Sequence, residues 1–306
     1  MTEHKGLKIG VRGFCLSLYL LSAVTSSAFA YTLNTSSNNA TSPNNQSAVS
    51  QDLTLSSGAN AVLEKPECIT KSGAVLFIHG WAGQKDEVGD LYKDLAKQLS
   101  AHCIASLRFD VRGEAEREAS NYLLDSTFAS RVEDAQSGLD YLQDKYPKLP
   151  LVVVGFSLGG ATAMELVSEH PDTFDGVVLW STALNPNEIV TNADTFKEVR
   201  EALSEGESIL KSWADFTLTR KHLVGMLGYN PIRNLGAFKG QMLAIRGSND
   251  YLPAHEKTIF EASNAVREDA YYIGGADHIF NVYEPEKSKK EDVLSLSFKW
   301  IIQVLN

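Results

Sequence analysis

Three residue types, far apart in the chain, could together cut an acyl bond. Residues 152–160 read VVVGFSLGG, so Ser157 stands in the pattern G-x-S-x-G. A serine hydroxyl is a weak nucleophile in water and needs an adjacent base to take its proton. The glycines on either side have a steric reason. A β-branched strand running straight into a helix forces the serine into a strained backbone, and neighbouring side chains would collide with the crossing elements. The same turn puts the amide of Leu158 at a helix start, where unpaired N–H groups favour an oxyanion. Phe156 is expected to pack beneath the turn. A purely structural Gly-Ser turn is the competing reading, and it leaves the residues downstream without a part to play.

The base must come from one of seven histidines. His278, in GGADHIF, follows the apolar stretch AYYIG on a loop that glycines can bend, and it is the candidate base. His79 ends an apolar strand and reads as a brace for the loop after it. His4 falls in the leader, His102 and His170 flank elements at the sides, and His222 and His255 fall in an inserted region and at a helix start. Asp250 ends QMLAIRGSND, 28 residues before His278, and is the candidate carboxylate that orients the base. Its other reading is a turn cap ahead of Pro253. Asp277 adjoins His278 and would struggle to reach its own neighbour's ring. The resulting chain order is Ser…Asp…His, one of the orders in which this triad occurs. A second oxyanion donor is expected from HGWAG (79–83), where Gly80 permits close approach and the amide of Trp81 would face the same point as that of Leu158. The Trp81 indole either walls the acyl side of a pocket or packs under a cap.

These residues need a scaffold that brings distant loops to one edge. AVLFIHG, CIASLRFD, LVVVGF, GVVLW, QMLAIRG and DAYYIG read as strands, and LTLSSGANAVLEKP as two short strands turning at Gly58. Between them, Leu91, Leu95 and Leu99 mark one amphipathic helix, and Val132, Ala135, Leu139 and Leu142 a second. Further helices are expected over 158–169 and 293–305. Apolar strands alternating with amphipathic helices predict a mostly parallel sheet with helices on both faces, an α/β fold. Between GVVLW and QMLAI lie about 60 residues, far more than an ordinary connection. Residues 185–235 are therefore expected to form a cap over the carboxyl edge, with a helix and a hairpin around Ala214 and Asp215. Within it, Trp213, Phe216, Leu223 and Met226 could line an apolar site or make the cap's own small core.

The first thirty residues carry Lys5, Lys8 and Arg12, then an apolar middle, then Ala28-Phe29-Ala30. That order predicts a secretory signal peptide cleaved after Ala30, and the apolar stretch is shorter than a spanning helix requires. An exported protein, periplasmic or secreted, is expected, with no stable membrane insertion after cleavage. Residues 31–51 are rich in Ser, Asn and Thr and read as a flexible leader. Two of the three cysteines remain after it, Cys68 and Cys103. In an oxidising compartment they could form a disulfide if their strands are neighbours; two separate buried thiols fit the sequence equally. The composition, 43% hydrophobic and 22% charged, is that of a globular domain with a real core. A net charge of −10 argues against a nucleic-acid partner. No Cys/His cluster points to a metal, and the chemistry needs no organic cofactor. Composition and spacing are silent on oligomeric state.

Taken together, HGWAG, RFDVRG (108–113), GFSLGG, the RGSND turn and GADHIF resemble the α/β-hydrolase superfamily over 52–306. Within it the chain is similar to feruloyl and cinnamoyl esterases and to serine-aminopeptidase-like hydrolases. The resemblance implies the α/β-hydrolase fold with a small inserted cap, and a hydrolase of carboxylic esters acting on a small-molecule substrate. It implies Ser157, Asp250 and His278 as the triad, and the amides of Trp81 and Leu158 as the oxyanion hole. A thioesterase, lysophospholipase or amidase would use the same machinery, and a non-catalytic exported binding protein is the reading from another class. One departure stands out. Relatives usually continue RFDxRG with histidine, glycine and serine, whereas here the chain runs RGEAEREAS. Glu114, Glu116, Arg117 and Glu118 are expected to make that loop charged and solvated.

Overall fold

The computed structural model describes residues 49–306 apart from 69, 115–116, 119–120 and 191–195. The expected signal peptide and nearly all of the leader lie outside the described residues. The last three leader residues, 49–51, are not leader but the start of a strand. The first strands are β1 (Val49–Thr54), polar and mostly exposed, and β2 (Asn60–Lys65), β3 (Gly73–Ile78) and β4 (Ile104–Phe109), whose apolar runs are buried. After them come β5 (Arg117–Glu118), β6 (Asn121–Leu124), β7 (Leu151–Phe156), β8 (Gly176–Trp180), β9 (Glu207–Lys211), β10 (Asp215–Thr219), β11 (Gln241–Gly247) and β12 (Arg267–Ile273). Eight of these make the main sheet, in the order β1-β2-β4-β3-β7-β8-β11-β12. β1, β2 and β4 pair antiparallel, and every pairing from β4 through β12 is parallel.

The helices are α1 (Leu91–Ser100), α2 (Phe128–Lys145), α3 (Leu158–Glu169), α4 (Asn187–Val190), α5 (Phe196–Glu205), α6 (Arg220–Gly225), α7 (Glu256–Ala262) and α8 (Lys290–Leu305). Alternation along the central strands gives the sheet two buried faces. Leu76, Ile78, Leu151 and Val153 join the core beneath α2 and α3, whereas Val75, Phe77, Val152 and Val154 join that beneath α1 and α8. This is an α/β-hydrolase architecture, as the family resemblance implies. Parallel strands send their carboxyl ends to one edge, so the loops after β3, β7, β11 and β12 converge there.

Cys68 and Cys103 are joined by a disulfide, with their Cα atoms 5.5 Å apart. It links the approach to β3 with the approach to β4, whose registers pair Gly73 with Ile104.

A second sheet, β5-β6-β10-β9, stands apart from the first. β9 and β10 are the expected hairpin, with Ser212 donating its amide to the carbonyl of Ala214 at the turn. β10 also pairs in parallel with β6, Phe216 opposite Tyr122. The loop that the charge pattern left to solvent therefore carries β5, and β6 follows it into the sheet of the inserted region. Phe216, Leu223 and Met226 are buried there, so they belong to its core, while Trp213 is exposed. Among the described residues no helix is long and apolar enough to cross a membrane.

Candidate active site

Ser157 lies between β7 and α3 with φ 53° and ψ −118°, a conformation that costs a non-glycine residue energy. Three backbone–backbone hydrogen bonds hold it. The Ser157 amide donates to the Trp180 carbonyl at 2.9 Å, and the Ser157 carbonyl accepts from Gly160 at 3.0 Å and from Ala183 at 3.1 Å. A Cβ on Gly159 would run into the carbonyl oxygens of Ile78 and His79, and one on Gly155 would meet the backbone of Gly159. The glycines thus permit the close crossing of β3, β7 and α3 that raises the serine.

His278 Nε2 lies 3.0 Å from Ser157 Oγ, and its Nδ1 lies 2.8 Å from Asp250 Oδ1. The imidazole packs against Phe156 and Tyr251, ring centroids 5.1 and 4.5 Å away. Phe156, buried at the end of β7, thus supports the His278 ring. The Asp250 side chain is fully buried and accepts the Leu252 amide at 3.0 Å. Burial alone would push its carboxyl up. The hydrogen bond and charge of His278, with the Leu252 amide, outweigh that and hold it below the usual carboxylate range. Arg246 Nη2 lies 3.5 Å from Asp250 Oδ2 and also binds the Leu252 carbonyl, so it braces the loop that carries Asp250. Asp277 instead accepts the amides of Ile279 and Asn281 at 3.0 and 2.7 Å and stiffens the turn that bears His278.

The loop after β3 is shaped by buried carboxylates. Glu87 accepts the Gly80 amide at 2.8 Å, and Glu114 accepts the Ala82 amide at 3.0 Å. Between them, the amide of Trp81 donates to no acceptor among the described residues. Leu158 is the first residue of α3, where amides have no intrahelical partner. His79 accepts the Val111 amide at Nε2, 2.9 Å, which puts its proton on Nδ1 for the Gly80 carbonyl at 2.7 Å. It braces the loop, in keeping with its place at a strand end. Burial pushes the Glu87 carboxyl up to about 7 against the pull of the Gly80 and Val88 amides.

Glu114 overturns its own part of the expectation of a charged, solvated loop, for it is fully buried, while Glu116 lies outside the described residues. Arg131 compensates Glu114 at 2.5 Å and donates its Nη2 to the His79 carbonyl at 2.6 Å, and the Ser126 hydroxyl donates to Glu114 at 2.5 Å. Burial is the largest influence and works to raise the Glu114 carboxyl, but the charge of Arg131, together with His79, His222 and the Arg131 hydrogen bond, lowers it. A buried charge needs such a partner, and the partner stands on α2. The signal was present: Arg131 interrupts the buried stripe Phe128, Ala135, Leu139, Leu142, while Val132 is only half-buried. His222 is also buried. It receives the Trp81 indole N–H at 2.9 Å, from 141 residues away, and no spacing in the sequence marks that contact. The indole packs against Phe216 as well, centroids 5.4 Å apart, so it lies under the inserted region. Among the described residues no group of three or more His, Cys, Asp or Glu is arranged to hold a metal ion.

Known proteins share this arrangement of elements. Est1E from Butyrivibrio proteoclasticus superposes with a TM-score of 0.64 at 17% identity, covering 84% of this chain and 98% of that one. Human monoglyceride lipase is 32% identical over 124 residues, 40% of this chain and 39% of its own length. The pimeloyl-[acyl-carrier protein] methyl ester esterase of Chromobacterium violaceum is 25% identical over 189 residues, 61% of this chain and 67% of its own. The chain thus matches about two-fifths of the human lipase's length. The family model described as "Serine aminopeptidase, S33" matches residues 70–224, just over half of the chain, from before β3 through the serine turn and into the inserted region. On that match, and on a fold common to the solved relatives, this chain belongs to the serine aminopeptidase family of α/β-hydrolases.

Proposed function

We propose that this protein is a serine hydrolase that cleaves carboxylic esters through an acyl-enzyme intermediate. The observation that carries the reading is the continuous hydrogen-bonded chain from Ser157 Oγ through His278 to a fully buried Asp250. His278 Nε2 takes the serine proton as Oγ attacks the ester carbonyl, then gives it to the departing alcohol. Asp250 keeps the proton of the neutral imidazole on Nδ1 and stabilises the imidazolium once it forms. The amides of Trp81 and Leu158 bind the tetrahedral oxyanion, each worth about 2.7–4 kcal/mol by analogy with such donors. Water then releases the acyl group with His278 again as base.

Relatives support an ester substrate. One is a monoglyceride lipase, another a methyl ester esterase, and Est1E has been solved with ferulic acid bound. We also propose export, with cleavage after Ala30. The Cys68–Cys103 disulfide supports it, since such bonds persist in oxidising compartments.

A fluorophosphonate probe should label Ser157, and Ser157→Ala should abolish both labelling and hydrolysis of p-nitrophenyl butyrate. Undiminished turnover by that variant would sink the assignment, and an unlabelled wild-type chain would favour a binding protein. A panel of monoacylglycerols, methyl ferulate, thioesters and amides then ranks the acyl and leaving groups.

A further inference from the structure

Trp81 sits in the loop after β3, and His222 sits on α6 in the inserted region, yet Nε1 of the one meets Nε2 of the other at 2.9 Å. The chemistry of the partners fixes the imidazole's protonation. An indole N–H can only donate, so Nε2 must be bare. Nδ1 lies 2.8 Å from the Ser126 carbonyl oxygen, which can only accept, so Nδ1 carries the proton. His222 is therefore neutral here, in a single tautomer.

Charged groups face this ring from three elements. Glu114, from the loop after β4, is linked to it through the Ser126 hydroxyl, which lies 3.2 Å from Nδ1. Arg131 approaches from α2. Asp125 precedes α2 and is paired at 2.6 Å with Lys221, the neighbour of His222 on α6. Burial is the largest influence and lowers the readiness of His222 to take a proton; Glu114 works the other way and Arg131 reinforces burial.

We propose that His222 is a positioning residue for hydrolysis: its bare Nε2 fixes the Trp81 indole to the inserted region and so holds the Trp81 amide toward the oxyanion. A proton taken from solvent at Nε2 turns the acceptor into a donor. Two N–H groups then face each other, and the tie between cap and oxyanion loop is lost. This rests on Ser157 being the nucleophile, and it makes the state of the inserted region part of the catalytic geometry.

The test compares wild type with His222→Leu, Trp81→Phe, their double variant and His222→Gln on p-nitrophenyl butyrate between about pH 5 and 8. Each of the first two should lower kcat about fivefold, the scale of one hydrogen bond, with little change in KM. The double variant should lose no more than either single one, because both remove the same contact. The Gln amide oxygen can accept the indole N–H, so His222→Gln should recover much of the kcat lost by His222→Leu. Its activity should fall with a single ionisation on the acid side, where wild type falls with two. Losses that multiply in the double variant, or an acid limb for His222→Gln superposable on wild type, would overturn the proposal. Should His222→Leu fail to fold, Trp81→Phe and His222→Gln still carry the comparison.

Fluorescence separates this inference from its parent. Acidification should change Trp81 emission in wild type, and the change should vanish in Trp81→Phe and His222→Gln. Emission insensitive to pH overturns the switch even in an active enzyme. Absent probe labelling and absent ester turnover overturn the functional reading instead.

Discussion

Glu87 is the residue whose ionisation most directly touches the loop after β3, because it accepts the Gly80 amide. Its carboxyl stays protonated up to about pH 7 in the folded protein, whereas in the unfolded chain it ionises near its ordinary value of about 4.3. Between those values the unfolded state releases a proton that the folded state keeps. Its contribution to stability is fully present below about pH 4.3, and is lost as pH rises through about 7. His79 and His222 run the other way. Burial depresses both imidazoles, so their contribution is present above about pH 6.5 and is lost as pH falls through their lowered folded values. Bulk measurements on wild type therefore mix opposing trends, and a difference measurement is needed. From pH 5 the melting temperature of Glu87→Gln should rise relative to wild type and level off above about pH 7, reflecting up to about 3 kcal/mol of removed titration. A constant offset between the two curves would show that Glu87 does not ionise in that window.

At the scale of elements, the loop after β3 owes its shape to α2. Arg131 reaches from α2 to Glu114 and to the His79 carbonyl, and Glu114 in turn holds Ala82. Removing only one charge leaves the other buried and unpaired. Arg131→Met should therefore cost about 3–5 kcal/mol in urea unfolding, and adding Glu114→Gln should restore part of it. A cost below about 1 kcal/mol for Arg131→Met alone would mean that the pair does not organise this loop. The same pair shows where residue patterns run out. Period-2 and period-3.6 patterns record which face of an element is apolar, so the main-sheet strands and α1 through α3 could be read directly. The serine turn was legible because its glycines answer a local collision, and Asp250 and His278 because each follows a strand end. Glu114 and Arg131 neutralise each other through space, and charge counted along the chain shows only a run of acids. The pairing of β6 with β10 escaped for the same reason, since 121–124 and 215–218 meet only once the inserted region folds back.

For the whole molecule, the proposed catalytic parts come from both halves of the chain. The family match ends at residue 224, so it holds Ser157 and Trp81 but neither Asp250 nor His278. Their convergence depends on the main sheet being complete through β12, and so on the integrity of a chain closed early by one covalent tie. The Cys68–Cys103 bridge spans a sequence separation of 35 residues and brackets β3 and α1, the elements on either side of the loop that carries Trp81. The sequence left this bridge open because spacing gives no distance. Neighbouring β3 and β4 supply the distance in the fold. Closing a loop of that length removes unfolded-state entropy worth about 3–4 kcal/mol at room temperature. Cys68→Ser/Cys103→Ser should accordingly unfold at lower urea by about that free energy. The serine turn and the His278–Asp250 contact lie on β7, β11 and β12, away from the bridge, so kcat at room temperature should change little while the variant remains folded. If the double variant matched wild type in urea, the bridge would contribute nothing to stability. If instead kcat collapsed in a folded variant, β3 would need its covalent tie to hold Trp81 in place.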